Sequence, residues 1–251
     1  MEGPPRVSRP IEYPVPWDQV MGLTPFIAQR RRRDLNDFTR AIVDRMDPAP
    51  SIEGLELLPP SPRFLLVANH YQRKGLWILH SAAAVTQAIV ARYGPSNAPV
   101  RWLVTANWPR LRFGPFSCPS PGDWLLPKVA HALWCYPVSF AGANPAFTAR
   151  SLRNVLRDAR AATQPIGLFP EGVAGSAGVL TDPLPGSERL IAQLARLGLP
   201  AVPCGISEQD SRFVIRFGPA IAAAELLAAP DAARLAMARV AGLLTATPAA
   251  G

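Results

Sequence analysis

What most constrains this chain is a series of short apolar runs, each closed by a turn signal and separated from the next by a helix-length segment. Phe64-Leu65-Leu66-Val67-Ala68 follows Pro59, Pro60 and Pro62 and runs into polar Asn69-His70. The stretches 100–105, 135–140, 165–169 and 201–205 are further short strand patterns, and 213–217 is another, with alternation. An apolar run with no polar alternation buries both faces of a strand, which calls for layers on both sides of a sheet. Between the runs lie helical patterns over 76–93, 125–134, 145–162, 186–197 and 222–244. Strands alternating with helices predict an α/β fold: one domain with a mostly parallel, twisted sheet flanked by helices on both faces. The chain has 251 residues, 49% of them apolar, enough to bury such a core.

Two regions stand apart. Residues 1–23 are proline-rich and aperiodic, and read as an N-terminal arm lying on the domain or loose in solvent; residues 24–251 form the α/β domain. A helix is expected from Thr24, a good N-cap, with Pro25 at its first position and Leu35, Phe38, Ile42 and Met46 on one stripe, ended by Pro48. Arg30 to Arg33 fall inside that helix, as a solvated face or as a basic patch for anionic lipid. The segment 107–123, rich in proline and aromatics, is expected to be irregular.

The net charge is +8, and only Lys74 and Lys128 are lysines. An arginine-favouring genome accounts for part of this, and an anionic partner for the rest. No acidic residue occurs between Glu56 and Asp123, while Arg63, Arg73, Lys74, Arg92, Arg101, Arg110 and Arg112 do. A solvated face mixes signs, so this stretch reads as a field that favours phosphate. Cys118, Cys135 and Cys204 form no CxxC pair, and His70, His80 and His131 have no ligand spacing. A disulfide framework and a metal site are therefore not expected. The most apolar stretch, Leu76 to Ala91, is short for a membrane span and carries His80, Ser81, Thr86 and Gln87. No secretory leader is visible. The expectation is a cytoplasmic protein attached peripherally to an anionic membrane.

Three segments carry chemistry: Val67-Ala68-Asn69-His70, Leu168-Phe169-Pro170-Glu171-Gly172, and Gly198 to Ile206. In this order and spacing they resemble the glycerolipid acyltransferase family, best known for the 1-acylglycerol-3-phosphate acyltransferases. The resemblance runs from about Ile52 to Ile221. Asn69-His70 matches the start of the family's NHxxxxD motif, and Phe169 to Gly172 the start of FPEGTRS. Gly186, Val202-Pro203 and Phe217-Gly218-Pro219-Ala220-Ile221 match its later landmarks. The resemblance implies transfer of a fatty acyl group from acyl-CoA or acyl-carrier protein to a hydroxyl of a lysophospholipid or related lipid. The acyl thioester is a co-substrate, and no further cofactor or nucleic acid is implied.

In this family the motif histidine takes the hydroxyl proton, a role suited to a side chain whose pKa lies near neutrality. His70 is thus the expected catalytic base, with Asn69, Glu171 and Gly172 at the substrate. The motifs are degenerate. Position 75 is Gly75 where the family has its orienting aspartate. Val173-Ala174-Gly175 replaces the threonine, arginine and serine of FPEGTRS, and Phe140 stands where a second arginine is expected. Arg73, Lys74, Arg110 or Arg112 would then take over anion binding. Two alternatives follow: a degenerate member that binds lipid or acyl thioester without turnover, or a serine esterase with Ala174-Gly175-Ser176-Ala177-Gly178 as a loose nucleophile elbow. The glycines 172, 175 and 178 are spaced GxxGxxG and do not make a dinucleotide loop.

Overall fold

A computed structural model describes residues 11–95, 99–107, 111–113, 116–118, 120–139, 144–161, 164–173, 179–209 and 211–245. Its centre is a seven-stranded sheet built from β1 (Ser51–Glu53), β2 (Leu65–Ala68), β3 (Arg101–Thr105), β6 (Tyr136–Val138), β7 (Ile166–Leu168), β8 (Ala201–Gln209) and β9 (Arg212–Phe217), in the order β1-β9-β8-β2-β7-β3-β6. All neighbours run parallel except β8 and β9, which form an antiparallel pair. The apolar runs thus become interior strands, as their lack of alternation predicts. In β2 and the residue before it, Phe64, Leu66 and Ala68 point into one core, with Val85 and Ile89 of helix α4 (Ile78–Tyr93). Leu65 and Val67 point into the opposite core. It is filled by α6 (Pro145–Ala161), α7 (Ser187–Arg196) and α9 (Ala232–Thr245), through Val155, Leu194 and Ala236. A two-residue period with both faces buried requires layers on both sides of the sheet.

The sheet order matters for function. Strand β2 pairs with β7 on one side, Val67 opposite Leu168, and with β8 on the other. The loops that leave the carboxyl ends of β2 and β7 therefore emerge side by side. In open α/β sheets that end is where ligands bind.

Four local expectations need correcting. The helix expected over 24–46 is broken: α2 (Thr24–Ala28) and α3 (Leu35–Val43) are separated by a turn that holds the arginine block. Leu23, not Thr24, is the N-cap of α2. Asp34 starts the new helix by accepting the Asp37 N–H at 3.0 Å, a better cap than any arginine. Tertiary contacts hold the turn, since Arg33 N–H donates to the Ala132 carbonyl at 2.8 Å and its guanidinium to the Gln19 carbonyl at 3.0 Å. The segment read as irregular contains an antiparallel hairpin, β4 (Leu111–Phe113) with β5 (Phe116–Cys118), and the start of α5 (Pro121–Ala132), capped by Ser120. The C-terminal helical stretch is split into α8 (Ala223–Ala228) and α9, because Pro230 supplies no N–H and Asp231 recaps the chain through Ala233 and Arg234. Finally, the sequence showed no helix before residue 24, yet Trp17–Met21 forms a short one, α1.

The described part of the arm lies on the domain. Ile11 and Tyr13 are buried in the core beside α4. Tyr13 donates its hydroxyl to the Pro48 carbonyl and its N–H to the Gly75 carbonyl, both at 2.8 Å. Buried His80 accepts the Trp77 N–H at Nδ1, 3.0 Å, and meets the Pro14 carbonyl through Nε2 at 3.2 Å.

Candidate active site at the ends of β2 and β7

Beyond β2 the chain must stop pairing and turn outward, and Asn69 makes it do so. Its side chain is buried and locked to β8 in both directions: Nδ2 donates to the Ile206 carbonyl at 2.9 Å, and Oδ1 accepts the Ile206 N–H at 2.7 Å. The Tyr71 N–H returns to the Asn69 carbonyl at 3.0 Å. His70 sits at the apex of this tight reversal.

Glu171 arrives from β7. Phe169 to Gly172 form a turn closed by the Gly172 N–H on the Phe169 carbonyl at 3.0 Å, with Gly172 in the left-handed region (φ 65°) that glycine favours. The turn sends the Glu171 side chain inward, where it is 2% exposed. Oε2 accepts the backbone N–H of His70 at 2.6 Å, and Oε1 accepts the N–H of Thr181 at 2.6 Å and its hydroxyl at 3.3 Å. Glu171 thus ties together the loop after β2, its own turn and the segment that leads to α7.

The His70 ring lies edge-on against Phe169, with centroids 5.4 Å apart. Phe169 in turn stacks flat on Trp102 at 4.6 Å, and the indole N–H is held by Thr86 Oγ1 at 3.1 Å. Gly167 makes room for this stack, since a Cβ there would sit 2.4 Å from the indole. Nδ1 of His70 is buried and has no hydrogen-bond partner among the described residues. Burial pushes the His70 pKa below its ordinary 6.5, with its own backbone and the Glu171 charge pulling weakly the other way. At neutral pH the ring is therefore uncharged and able to accept a proton.

The cations distribute differently from the sequence reading. Arg73 forms a largely buried ion pair with Glu208 and also donates to the Ile11 carbonyl at 2.6 Å. The same Glu208 accepts the Tyr71 hydroxyl at 2.7 Å. Arg101 pairs with Asp158 at 2.7 Å on the far side of the sheet, and Arg63 donates to the Leu197 carbonyl at 2.7 Å. Two cations of the acid-free stretch, Arg73 and Arg101, are thus met by acids that the fold brings from later in the chain, Glu208 and Asp158. Lys74 remains exposed. Arg112 falls on β4, while Arg110, Phe140 and the elbow-like Ala174–Gly178 lie outside the described residues.

Gly75, at the motif position of the orienting aspartate, has φ 80°, and a Cβ there would lie 2.7 Å from Cγ of Glu12. The arm occupies that space. An aspartate at 75 would meet both a disfavoured backbone shape and a like-charged neighbour. Gly75→Asp is therefore expected to destabilise the protein by about 1–2 kcal/mol from the left-handed backbone alone. That corresponds to a drop in Tm of roughly 2–8 °C, measurable by calorimetry, with no gain in turnover.

Thr181, Glu208, Trp102 and Phe169 complete the site, and only Phe169 had a sequence signal, as part of the Phe-Pro-Glu-Gly match. Gly167 inside a strand pattern does announce a close approach, though not of which residue.

A mostly parallel α/β sheet with a histidine and a glutamate joined at adjacent strand ends defines the class of fold. No protein-family model matches the sequence, and no curated protein matches it. Among solved structures, the fold is similar to the crystal structure of the 1-acyl-sn-glycerophosphate (LPA) acyltransferase PlsC from Thermotoga maritima. The TM-score is 0.53 and the identity 13%, over 90% of this chain and 81% of that one. At that identity the likeness is one of fold.

Proposed function

We propose that the protein is an acyltransferase that moves a fatty acyl group from acyl-CoA or acyl-carrier protein to a hydroxyl of a lysophospholipid or related lipid. The observation that carries this reading is the Glu171 carboxylate gripping the His70 backbone, which presents a neutral histidine at the end of β2. The similarity in fold to an LPA acyltransferase supports it. His70 Nε2 takes the proton from the acceptor hydroxyl, since Nδ1 is buried. The oxygen attacks the thioester carbonyl, the new C–O bond forms, the C–S bond breaks, and the departing thiolate recovers the proton from His70. Asn69, Glu171 and Arg73 act here by positioning the histidine loop. Lys74, Arg110 and Arg112 are the cations assigned to the anionic substrate.

A second reading, binding of lipid or acyl thioester without turnover, is favoured by the orphaned His70 Nδ1 and by Gly75, which offers it no carboxylate. Thioester consumption, measured with acyl-CoA and acyl-carrier protein against a panel of lysophospholipids and other lipid alcohols, separates the two. Turnover with one acceptor is expected, and none with any would leave the binding reading.

We also propose peripheral contact with an anionic membrane. No helix among the described residues is long and apolar enough to cross one. Trp17 and Met21 on α1 and Trp124 on α5 are 59%, 66% and 66% exposed, and Arg30, Arg31 and Arg32 are exposed in the turn that packs against the end of α5. Apolar rings with neighbouring cations suit a lipid interface. Flotation is expected with phosphatidylglycerol vesicles, weakening as salt shortens the screening length below about 8 Å. Equal binding to neutral vesicles would overturn the electrostatic part.

A further inference from the structure

Beyond β6, at the opposite edge of the sheet from β1, lies a cavity of about 300 Å³ between α5 and α6. Strands β7 and β3 separate its strand, β6, from β2 and His70. Its charged lining is Arg32, Arg101, Arg150, Arg157 and Asp158, with Trp134 among the remaining walls. Four guanidinium groups face one carboxylate, leaving three positive charges around a small volume. That carboxylate is committed: Asp158 takes Arg101 at 2.7 Å, Arg157 at 3.1 Å and the Tyr136 hydroxyl at 3.2 Å. Arg32 and Arg150 have no ion-pair partner among the described residues.

The aromatic walls do not serve as an open stacking surface. The Arg32 and Arg101 guanidinium groups lie over the Trp134 ring at 5.1 and 4.6 Å, and Arg101 lies over Tyr136 at 4.0 Å. These contacts hold Arg101 and Arg32 in place; Arg101 also donates to the Trp134 carbonyl at 3.2 Å and to Asp158, so it acts chiefly as a fixed positive wall, while Arg32 offers its polar edge. The backbone is strained here as well. Trp134 and Arg30 are non-glycine residues in the left-handed region, at φ 56° and 52°, and the Arg30 carbonyl meets His131 Nε2 of the cavity wall at 3.4 Å. Strain of this kind collects where a constellation of side chains is being held for a purpose.

We propose that this cavity binds a small phosphomonoester or diphosphate group carrying at least two negative charges, at a site separate from His70. Convergent guanidinium groups match phosphate oxygens in bidentate geometry, and a dianion relieves the repulsion among them. The volume is at the lower end for a small-molecule site, which suits a compact phosphorylated group. The phosphate could belong to a free metabolite or to a lipid headgroup. The recognition chemistry is the same for both.

Calorimetric titration of the full chain with inorganic pyrophosphate and with glycerol 3-phosphate tests this, beside titration with phosphatidylcholine vesicles containing phosphatidic acid. Binding with a dissociation constant below about 1 mM is expected from two or three charge-assisted contacts. The double variant Arg150→Gln, Arg157→Gln changes only exposed α6 side chains and leaves the Arg30–Arg33 turn intact. It is expected to weaken binding by about tenfold or more, while Lys74→Gln, at a cation assigned to the acyl acceptor, leaves binding unchanged and so separates this site from the proposed acyl-transfer site. Binding of the soluble phosphates assigns the site to a free metabolite, and binding of the vesicles alone, lost in the double variant, assigns it to a headgroup. No binding of any probe, or equal binding by the double variant, would overturn the proposal.

Discussion

Replacing His70 by alanine should lower kcat/KM for acyl transfer by about 10²–10⁴, the usual contribution of a positioned general base. The fold should survive, because the ring lies edge-on against Phe169 and its Nδ1 makes no hydrogen bond among the described residues. The wild-type pH profile gives a second readout. Burial depresses the His70 pKa below 6.5. A base must be neutral to act, so the rate should be flat above about pH 6.5 and fall only as the pH drops through the depressed value. A histidine that merely shaped the loop would leave no such limb in the profile. Turnover that persists in His70→Ala would sink the base assignment.

Glu171→Gln should be the most destabilising of the conservative changes at the site. The carboxylate accepts one backbone N–H on each oxygen, both at 2.6 Å, in a buried position. An amide keeps one acceptor oxygen and turns an NH₂ group toward the other N–H. Each charge-assisted bond contributes roughly 1.5–3 kcal/mol, so a loss of about 3 kcal/mol is expected. For a chain of this size that lowers Tm by roughly 6–12 °C, which thermal denaturation would register. Activity should fall with it, since the His70 backbone loses its anchor. Because the Glu171 charge holds the His70 pKa up, the acid limb of the remaining activity should move to lower pH. A rise in KM with unchanged Tm would instead place Glu171 on the substrate.

Much of the scaffold was legible in the residues. The unbroken apolar run at 64–68 demanded a strand covered on both faces, and β2 divides its side chains between two cores. Asn69-His70 and Pro170-Glu171-Gly172 were visible as turn chemistry at strand ends, and the parallel pairing of β2 with β7 brings them together. What those side chains hold was not legible. Asn69 bonds to Ile206, and Arg73 pairs with Glu208, in each case more than a hundred residues along the chain. The helix expected over 24–46 fails for a related reason. Its stripe begins only at Leu35, Asp34 offers a cap just before it, and the Arg33 contacts to Ala132 and Gln19 bend the chain there.

By itself, the sequence determined the local terms: which runs are apolar, where turns must come, and that a histidine and a glutamate end two strands. Those follow from burial and backbone preference, which act over a few residues. Only the tertiary structure decided where the charges are neutralised, that the arm fills the space at Gly75, that Glu171 grips backbone, and that four arginines converge beyond β6. Coulombic and hydrogen-bond partners are chosen by distance in space, and that distance is set by the sheet order.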